Sequence, residues 1–160
     1  MRKLTLILTL GALVMLCCQC TTSKHLREAQ KGAKAVPYEV LDNYYVRNDI
    51  DCTSLQRLII DNERDFNEYF GAAALMGGMP TDINWKRQYV IAVLLPQTNR
   101  PTMVTPMEVK QNGNSVIFKY RVNRGNKSSY TLVPFAAIAL NRPENPEELQ
   151  IFFVENQYRL

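Results

Sequence analysis

The sequence predicts an α+β fold: a mostly antiparallel sheet, or a partly open barrel, of five to seven strands with one main amphipathic helix packed on it. Three observations lead to this prediction. Apolar segments of strand length recur along the chain, and two of them flank an Asn-Gly pair in the pattern of a hairpin. One acidic and aromatic segment has the spacing of a helix. The links between segments are mostly short, which favours antiparallel neighbours.

The first 17 residues have the pattern of a bacterial lipoprotein signal peptide. Arg2 and Lys3 precede thirteen uncharged residues, 4–16. Such a run is shorter than the roughly 20 residues of a membrane span and is typical of a signal-peptide core. It ends on cysteines, where a lipoprotein is cleaved and acylated. Cys18 is the preferred acylation site, because Cys17 before it is small and an apolar residue stands three positions upstream; Cys17 is the alternative.

The clustered cysteines have two other interpretations, a plain secreted protein with disulfides and a metal site. One Cys-x-Cys beside the lone His25 supplies no second pair of ligands at a usable spacing, so we predict no metal and no cofactor. Cys20 lies in the segment that follows the acylation site, and a disulfide from it to Cys52 would stabilise little. Cys52 is therefore predicted to be a small buried hydrophobe or an unreactive thiol.

The formal charge of +4 is unevenly distributed. Residues 1–17 carry two basic groups, residues 18–36 four basic groups and one acidic group, and residues 37–160 thirteen basic and fourteen acidic groups. The leader and the following segment are therefore basic, as suits contact with anionic lipid, while the remainder is close to neutral. The chain lacks the electrostatic signature of nucleic-acid binding, and we expect no nucleic-acid partner.

Residues 18–36 are predicted to be a tether, with room for a short helix, because small and charged residues alternate there without apolar periodicity. The folded region begins at Pro37, and residues 37–160 have the length of one domain. Its first segment alternates through Tyr38, Val40 and the pair Tyr44 and Tyr45, which predicts one strand or two short ones.

The clearest local prediction is a strand followed by a helix. Residues 55–60 are apolar enough for a strand, and Asp61 or Asn62 then offers a side-chain oxygen to the first free amides of a helix. Acidic residues in the first turn favour its positive end. Three aromatic residues form one helical stripe that predicts core packing, namely Phe66, Tyr69 and Phe70. We expect the helix to run to about Leu75, before Gly77, Gly78 and Pro80 end it.

The remaining strands follow from apolar runs. Residues 89–95 are continuously apolar and predict a central strand covered on both faces. Two alternating runs flank Asn112-Gly113 and predict a hairpin, the first through Met103, Met107 and Val109, and the second through Val116, Phe118, Tyr120 and Val122. Residues 128–141 predict another strand, in which Pro134 implies an edge, a bulge or a break. Residues 149–154 predict the last, with Leu149, Ile151 and Phe153 on one face.

Catalytic chemistry finds little support. The lone histidine, His25, lies in the predicted tether, which excludes the usual nucleophile and base pairs. Two sets of carboxylates remain as acid or base candidates, but their ordinary explanation is helix capping and a solvated turn. They are Asp61 with Asp65, and Glu144 with Glu147 and Glu148. Because no groups converge, we predict that the chain is not an enzyme and assign no catalytic residue.

The segment PQTNRPTMVTP, residues 96–106, has three prolines around Arg100 and follows the most apolar strand. A stiffened loop loses less entropy on docking, which suits a recognition surface. We hypothesise that Arg100, Thr102 and Met103 contact a protein partner. The alternative is a rigid connection with a bulge.

Four segments resemble the PrcB C-terminal-like domain, namely LIIDNERDFNEYF, PTDINWKRQYVIAVLLP, RPTMVTPMEV and NGNSVIFKYRV. The resemblance covers about residues 55–154. Asn84-Trp85 stands where the family usually has Asp-Phe. Thr102 matches the threonine of a Thr-Gly-Gly-Tyr loop, but Met-Val-Thr replaces the rest at 103–105. The family occurs in bacterial envelope proteins and is named for a component that stabilises a surface protease complex, so the resemblance implies a protein-binding role, with a protease as partner.

Together these patterns predict a lipid-anchored domain of the bacterial envelope, on the inner or the outer membrane and facing the periplasm or the surface, that binds another protein. The second interpretation is capture of a small molecule or peptide in a cleft lined by some of the eight tyrosines. The third is an enzyme of unfamiliar type.

Overall fold

The computed structural model describes residues 23–73, 78–143 and 148–156. The predicted signal peptide with Cys17, Cys18 and Cys20, and also Glu144 and Glu147, lie outside the described residues. Twelve elements follow in chain order. They are α1 (23–30), β1 (Lys34–Ala35), β2 (Glu39–Val40), β3 (Tyr44–Val46), β4 (Gln56–Ile60), α2 (Glu63–Tyr69), β5 (Phe70–Ala72), β6 (Gln88–Leu94), β7 (Thr102–Asn112), β8 (Ser115–Arg124), β9 (Phe135–Asn141) and β10 (Gln150–Glu155).

The strands form three open sheets. The outer sheet has the order β1-β7-β8-β10, the central sheet β2-β9-β6-β4, and the small sheet β3-β5. All neighbours are antiparallel except β8 and β10, which are parallel. The α+β prediction is confirmed, in its sheet form rather than as a barrel. Six of the described strands have five or more residues, and the other four have two or three. Two of these short strands, β2 and β3, lie in the segment where one strand or two short ones are predicted.

Strand β6 forms the middle of the core. Its side chains alternate between two clusters, with Val90, Ala92 and Leu94 facing α2 and the small sheet. Ile91 and Val93 face the outer sheet. The prediction of a central strand covered on both faces is confirmed, and it makes the central sheet the middle layer of three.

Helix α2 begins where predicted and ends earlier. Asn62 is the N-cap, and its side-chain oxygen accepts a hydrogen bond from the Asp65 amide at 2.9 Å. The prediction of a helix to about Leu75 is wrong, because Phe70 already pairs with Val46 in the small sheet. The aromatic stripe does pack into the core: Phe66 and Phe70 are buried and stack with ring centroids 4.8 Å apart.

The hairpin of β7 and β8 is confirmed, with its turn at Gly113-Asn114. Gly113 has φ 54°, a left-handed conformation that glycine adopts without steric cost. The predicted inward face of β7 is wrong at Met103 and Met107, which are exposed. A bulge at Met107 shifts the register between Pro106 and Glu108. The inward-facing residue is therefore even-numbered before the bulge, at Val104, and odd-numbered after it, at Val109. In β8 the predicted residues do face the core.

Strands β1, β9 and β10 complete the larger sheets. Part of the predicted tether joins the fold, since Lys34 pairs with Gln111 in β7 and the Val36 amide donates to the Val109 carbonyl at 3.0 Å. Pro134 marks a break directly before β9. The predicted face of the last strand packs against the core between the outer and central sheets, through Ile151 and Phe153 of β10 and Leu149 just before it.

Candidate functional site

The proline-rich loop after β6 is held by main-chain hydrogen bonds rather than by apolar burial. Residues 97–101 run beside residues 125–132, and four main-chain hydrogen bonds join the two segments. They are Thr98 N to Leu132 O and Leu132 N to Thr98 O (2.9 Å each), Ser128 N to Asn99 O (2.7 Å) and Gly125 N to Pro101 O (2.7 Å). We call residues 96–103 together with residues 125–130 the loop surface. Its backbone is fixed although its side chains are largely exposed.

The three residues predicted to bind a partner lie together on this surface. The Arg100 guanidinium is exposed and donates to the Gly125 carbonyl at 3.3 Å. The Thr102 hydroxyl turns back and donates to the Arg100 carbonyl at 2.8 Å. Met103 projects outward with 66% of its surface exposed. Arg100 and Met103 are therefore available for contact, while the Thr102 side chain supports the loop.

Tyr130, which no sequence pattern indicated as a site residue, is 56% exposed on the loop surface. The Ser128 hydroxyl lies 2.9 Å from the Asn99 carbonyl and 3.0 Å from the Tyr130 carbonyl, and so connects Tyr130 to the proline-rich loop. Met, Tyr and Arg are the residue types enriched in protein interfaces. The pairing of residues 125–132 with the loop joins distant parts of the sequence, and no local pattern indicates it.

A cleft of about 460 Å³ adjoins this loop at Gln97. We call it the tyrosine cleft, and its lining residues are Tyr44, Tyr45, Val46, Arg47, Asn48, Ile50, Gln97, Thr131, Leu132, Val133 and Phe135. Gln97 links it to the loop, because the Gln97 amide donates to the Cys52 carbonyl at 2.8 Å and the side chain donates to the Thr131 hydroxyl at 3.0 Å. Arg100, Thr102 and Met103 do not line it.

The two tyrosines of the cleft differ in their roles. The Tyr44 hydroxyl donates to the Thr81 carbonyl at 2.8 Å, and burial, with smaller effects of the Asp82 and Glu63 charges, raises its pKa. It therefore stays protonated as a structural donor. Tyr45 is nearly half exposed, and its ring lies against Gly71 so closely that a Cβ there would meet it at 2.5 Å. Tyr45 is thus free to contact a ligand.

The acidic groups considered for acid or base chemistry have structural roles where they are described. The Asn62 side-chain amide lies within donating distance of the carboxylates of both Asp61 (2.6 Å) and Asp65 (2.9 Å), at the start of α2. Glu148 accepts a hydrogen bond from Asn114 at 2.8 Å. Among residues 23–73, 78–143 and 148–156, no three His, Cys, Asp or Glu side chains form a group that could hold a metal ion.

Cys52 lies at the junction of the core and the loop. It is buried, and its thiol is a free one whose sulfur lies 3.2 Å from the Leu95 carbonyl that it faces. Burial, with a smaller effect of Asp51, raises the pKa of this thiol. The prediction of a small buried hydrophobe is confirmed.

No family model, no curated protein and no solved structure matches this chain. The resemblance to the PrcB C-terminal-like domain stays a prediction. Neither of the helices in the described part of the chain combines the length and the apolarity that crossing a membrane requires.

Proposed function

We propose that this chain is a lipid-anchored domain of the bacterial envelope that binds a protein partner through the loop surface. The observation that carries the proposal is the exposure of Met103. This apolar side chain is 66% exposed, although hydrogen bonds fix the main chain of the loop before it and pair its own strand with β8. A preorganised surface loses little conformational entropy on binding. Exposed Met103, Tyr130 and Arg100 supply the side-chain chemistry that interfaces favour.

The kind of partner and the anchor rest on the sequence. The resemblance to the PrcB C-terminal-like domain supports an envelope protease complex as the partner, which this chain would stabilise or modulate. The cysteine cluster supports acylation at Cys18, or at Cys17, and the basic segment that follows suits an anionic membrane surface. The sequence led us to expect no enzyme, and the proposal assigns no catalytic residue.

Capture of the partner from detergent-solubilised envelope tests the binding proposal. The double variant Arg100→Ala, Met103→Ala should capture about one tenth of the partner or less. Truncation of an interface anchor commonly costs more than about 1 kcal/mol of binding free energy, and this variant truncates two. The matched control is Arg64→Ala, Met79→Ala, which removes the same two residue types at exposed positions elsewhere. Equal capture by both variants would refute the role of the loop surface.

Mass spectrometry of the mature N-terminus tests the anchor. We expect a diacylated cysteine at position 18, loss of acylation in Cys18→Ser, and unchanged acylation in Cys17→Ser. The reverse pattern would assign the site to Cys17. An unmodified N-terminus, or release of the protein without detergent, would contradict the lipid anchor.

The tyrosine cleft supports a second candidate function, capture of a small molecule or peptide. Its volume of about 460 Å³ lies within the range of ligand sites in proteins, and Tyr45 is exposed at its edge. A ligand that co-purifies without a stoichiometric protein partner would favour this function over the first.

A further inference from the structure

The tyrosine cleft opens where strand β2 leaves the edge of β9. Val40 pairs with Ile138, and the Leu41 amide then donates to the Ala137 carbonyl at 3.0 Å. The chain turns away at Asn43, whose φ of 62° lies in the left-handed region that asparagine tolerates better than most residues. The edge of β9 beyond Ala137 is therefore left without the strand that covers the rest of it.

The hydrogen-bonding groups of this exposed edge face the cleft. Along an antiparallel strand, the N–H and C=O groups of successive residues point to opposite neighbours. The carbonyl of Ala137 points to β2, and those of Leu132 and Pro134 point the other way, to Thr98 and Leu95. The main-chain groups of Val133 and Phe135 therefore point to the β2 side, into the cleft that both residues line.

The opposite wall of the cleft is also a strand edge. In the small sheet the Arg47 amide donates to the Tyr69 carbonyl, and the Ala73 amide donates to the Asn43 carbonyl. Hydrogen-bonded positions alternate along an antiparallel strand, so Tyr45, midway between Asn43 and Arg47, is the one whose main-chain groups face β5. The main-chain groups of Tyr44 and Val46 thus point away from β5. Both residues line the cleft, whereas no residue of β5 does. Outside the strand ladders, no main-chain hydrogen bond in the described part of the chain engages Tyr44, Val46, Val133 or Phe135.

We propose that the tyrosine cleft binds an extended peptide segment of the protein partner by strand addition. The inference rests on the proposed function in that the segment belongs to a bound protein. Each wall offers main-chain groups two residues apart, which is about 6.7 Å in a strand and matches the repeat of an extended peptide. Such pairing gives affinity through main-chain hydrogen bonds and selectivity through alternate side chains. The cleft lining also includes polar side chains such as Asn48 and Thr131, which suits a solvated site that binds a peptide along strand edges.

A display library of random linear 12-residue peptides, selected against the full-length protein in detergent micelles, provides the probes. For the best peptide we expect N-methylation at either of two consecutive central residues to weaken binding at least about tenfold. Consecutive main-chain amides of a strand point to opposite sides, so both are needed only if both walls pair. Affinity unchanged by either methylation, or selection of no peptide at all, would overturn the proposal.

A pair of protein variants tests the wall formed by β9. Val133→Pro removes the N–H that faces the cleft and should lower the affinity for the peptide at least about tenfold. Val133→Ala truncates the side chain but keeps that N–H, and should lower the peptide affinity less than threefold. Equal effects would overturn the proposal. If Val133→Pro is poorly folded, the peptide methylation series decides.

Two further readouts separate this inference from its alternatives. The same peptide should bind the Arg100→Ala, Met103→Ala protein with unchanged affinity, so a failure of the loop surface to capture a partner is distinguishable from a failure of the cleft to bind a strand. Light scattering on the peptide-free protein should show a monomer. A dimer that Val133→Pro disrupts would place a second copy of the chain in the cleft and overturn the proposal of a partner peptide.

Discussion

Strand β6 and the proline-rich loop that follows it are adjacent in the chain but are stabilised in different ways. Residues Val90 to Leu94 are fully buried, and both faces of the strand contribute to a hydrophobic cluster. Residues 97–101 are mostly exposed and are fixed by main-chain hydrogen bonds to residues 125–132. In the strand, side chains are committed to packing. In the loop, the backbone carries the structure and leaves side chains such as Arg100 free for recognition.

The two regions also differ in how much free energy holds each of them. Burial of apolar side chains is the dominant favourable contribution to folding, and it is concentrated in the central sheet. The net contribution of one hydrogen bond to folding stability is about 1 kcal/mol, and several such bonds are enough to order a loop already attached to that sheet.

Ile91→Ala should lower the free energy of unfolding by about 2–5 kcal/mol, because it leaves a cavity between the central and outer sheets. Ile59→Ala is the matched control: Ile59 is paired directly with Ile91 across β4 and β6 but is 54% exposed. It should cost less than about 1 kcal/mol. Urea denaturation measures both. Similar losses in the two variants would contradict the view of β6 as the energetic centre.

The Cys52 thiol should be protected from alkylation in the folded protein, because it is buried where the loop joins β6. Iodoacetamide at pH 8 should label it at least about 100-fold more slowly than in urea, as expected for a site exposed only by opening of the core. Mass spectrometry of the tryptic peptide 48–57 isolates this cysteine from those near the N-terminus. Rapid labelling in the native state would show that the loop and the end of β6 open together, independently of the core.

Ser128→Ala should destabilise the protein by about 1 kcal/mol and loosen the loop, because it removes the hydroxyl beside the Asn99 and Tyr130 carbonyls. The adjacent, exposed Ser129 is the control, and Ser129→Ala should stay within about 0.5 kcal/mol of the unsubstituted protein. Amide hydrogen exchange at Thr98 and Leu132 should speed up only in Ser128→Ala. Unchanged exchange there would mean that the main chain alone holds the loop.

The smallest effect concerns a charged group on the outer sheet. Hydrogen bonds from Lys110 and Lys119 lower the pKa of Glu108 from its ordinary value of 4.5. In the unfolded chain this carboxylate binds protons more readily, so its contribution is present above pH 4.5 and is lost as the pH falls through the lower folded value. Because the three groups are about a third exposed, the contribution is small.

Glu108→Gln should therefore reduce slightly the loss of stability between pH 5 and pH 3, measured by urea midpoints at both pH values. Lys34→Gln, an exposed lysine in β1, serves as the control for loss of one charge on the same sheet. An acid sensitivity of Glu108→Gln equal to that of the unsubstituted protein would show that the two lysines contribute nothing to stability.

The candidate site was predictable only in part. Arg100, Thr102 and Met103 follow from the prolines around them, because proline restricts a loop wherever it occurs. Tyr130 and the tyrosine cleft did not follow. The cleft joins residues 44–50 to Gln97 and residues 131–135, and its character as a pair of strand edges depends on where β2 leaves β9. No local periodicity encodes that departure.

The sequence by itself determined the α+β class, the doubly covered β6, the start of α2 after a cap at Asp61 or Asn62, the hairpin of β7 and β8 and the burial of Cys52. Each depends on residues close together in the chain, through side-chain periodicity, capping or apolar composition. Tertiary structure decided the early end of α2, the bulge at Met107, the parallel position of β10 and the two open edges of the cleft. These features are set by pairing between distant segments, such as Val46 with Phe70, whose free energies compete with local preferences and prevail over them.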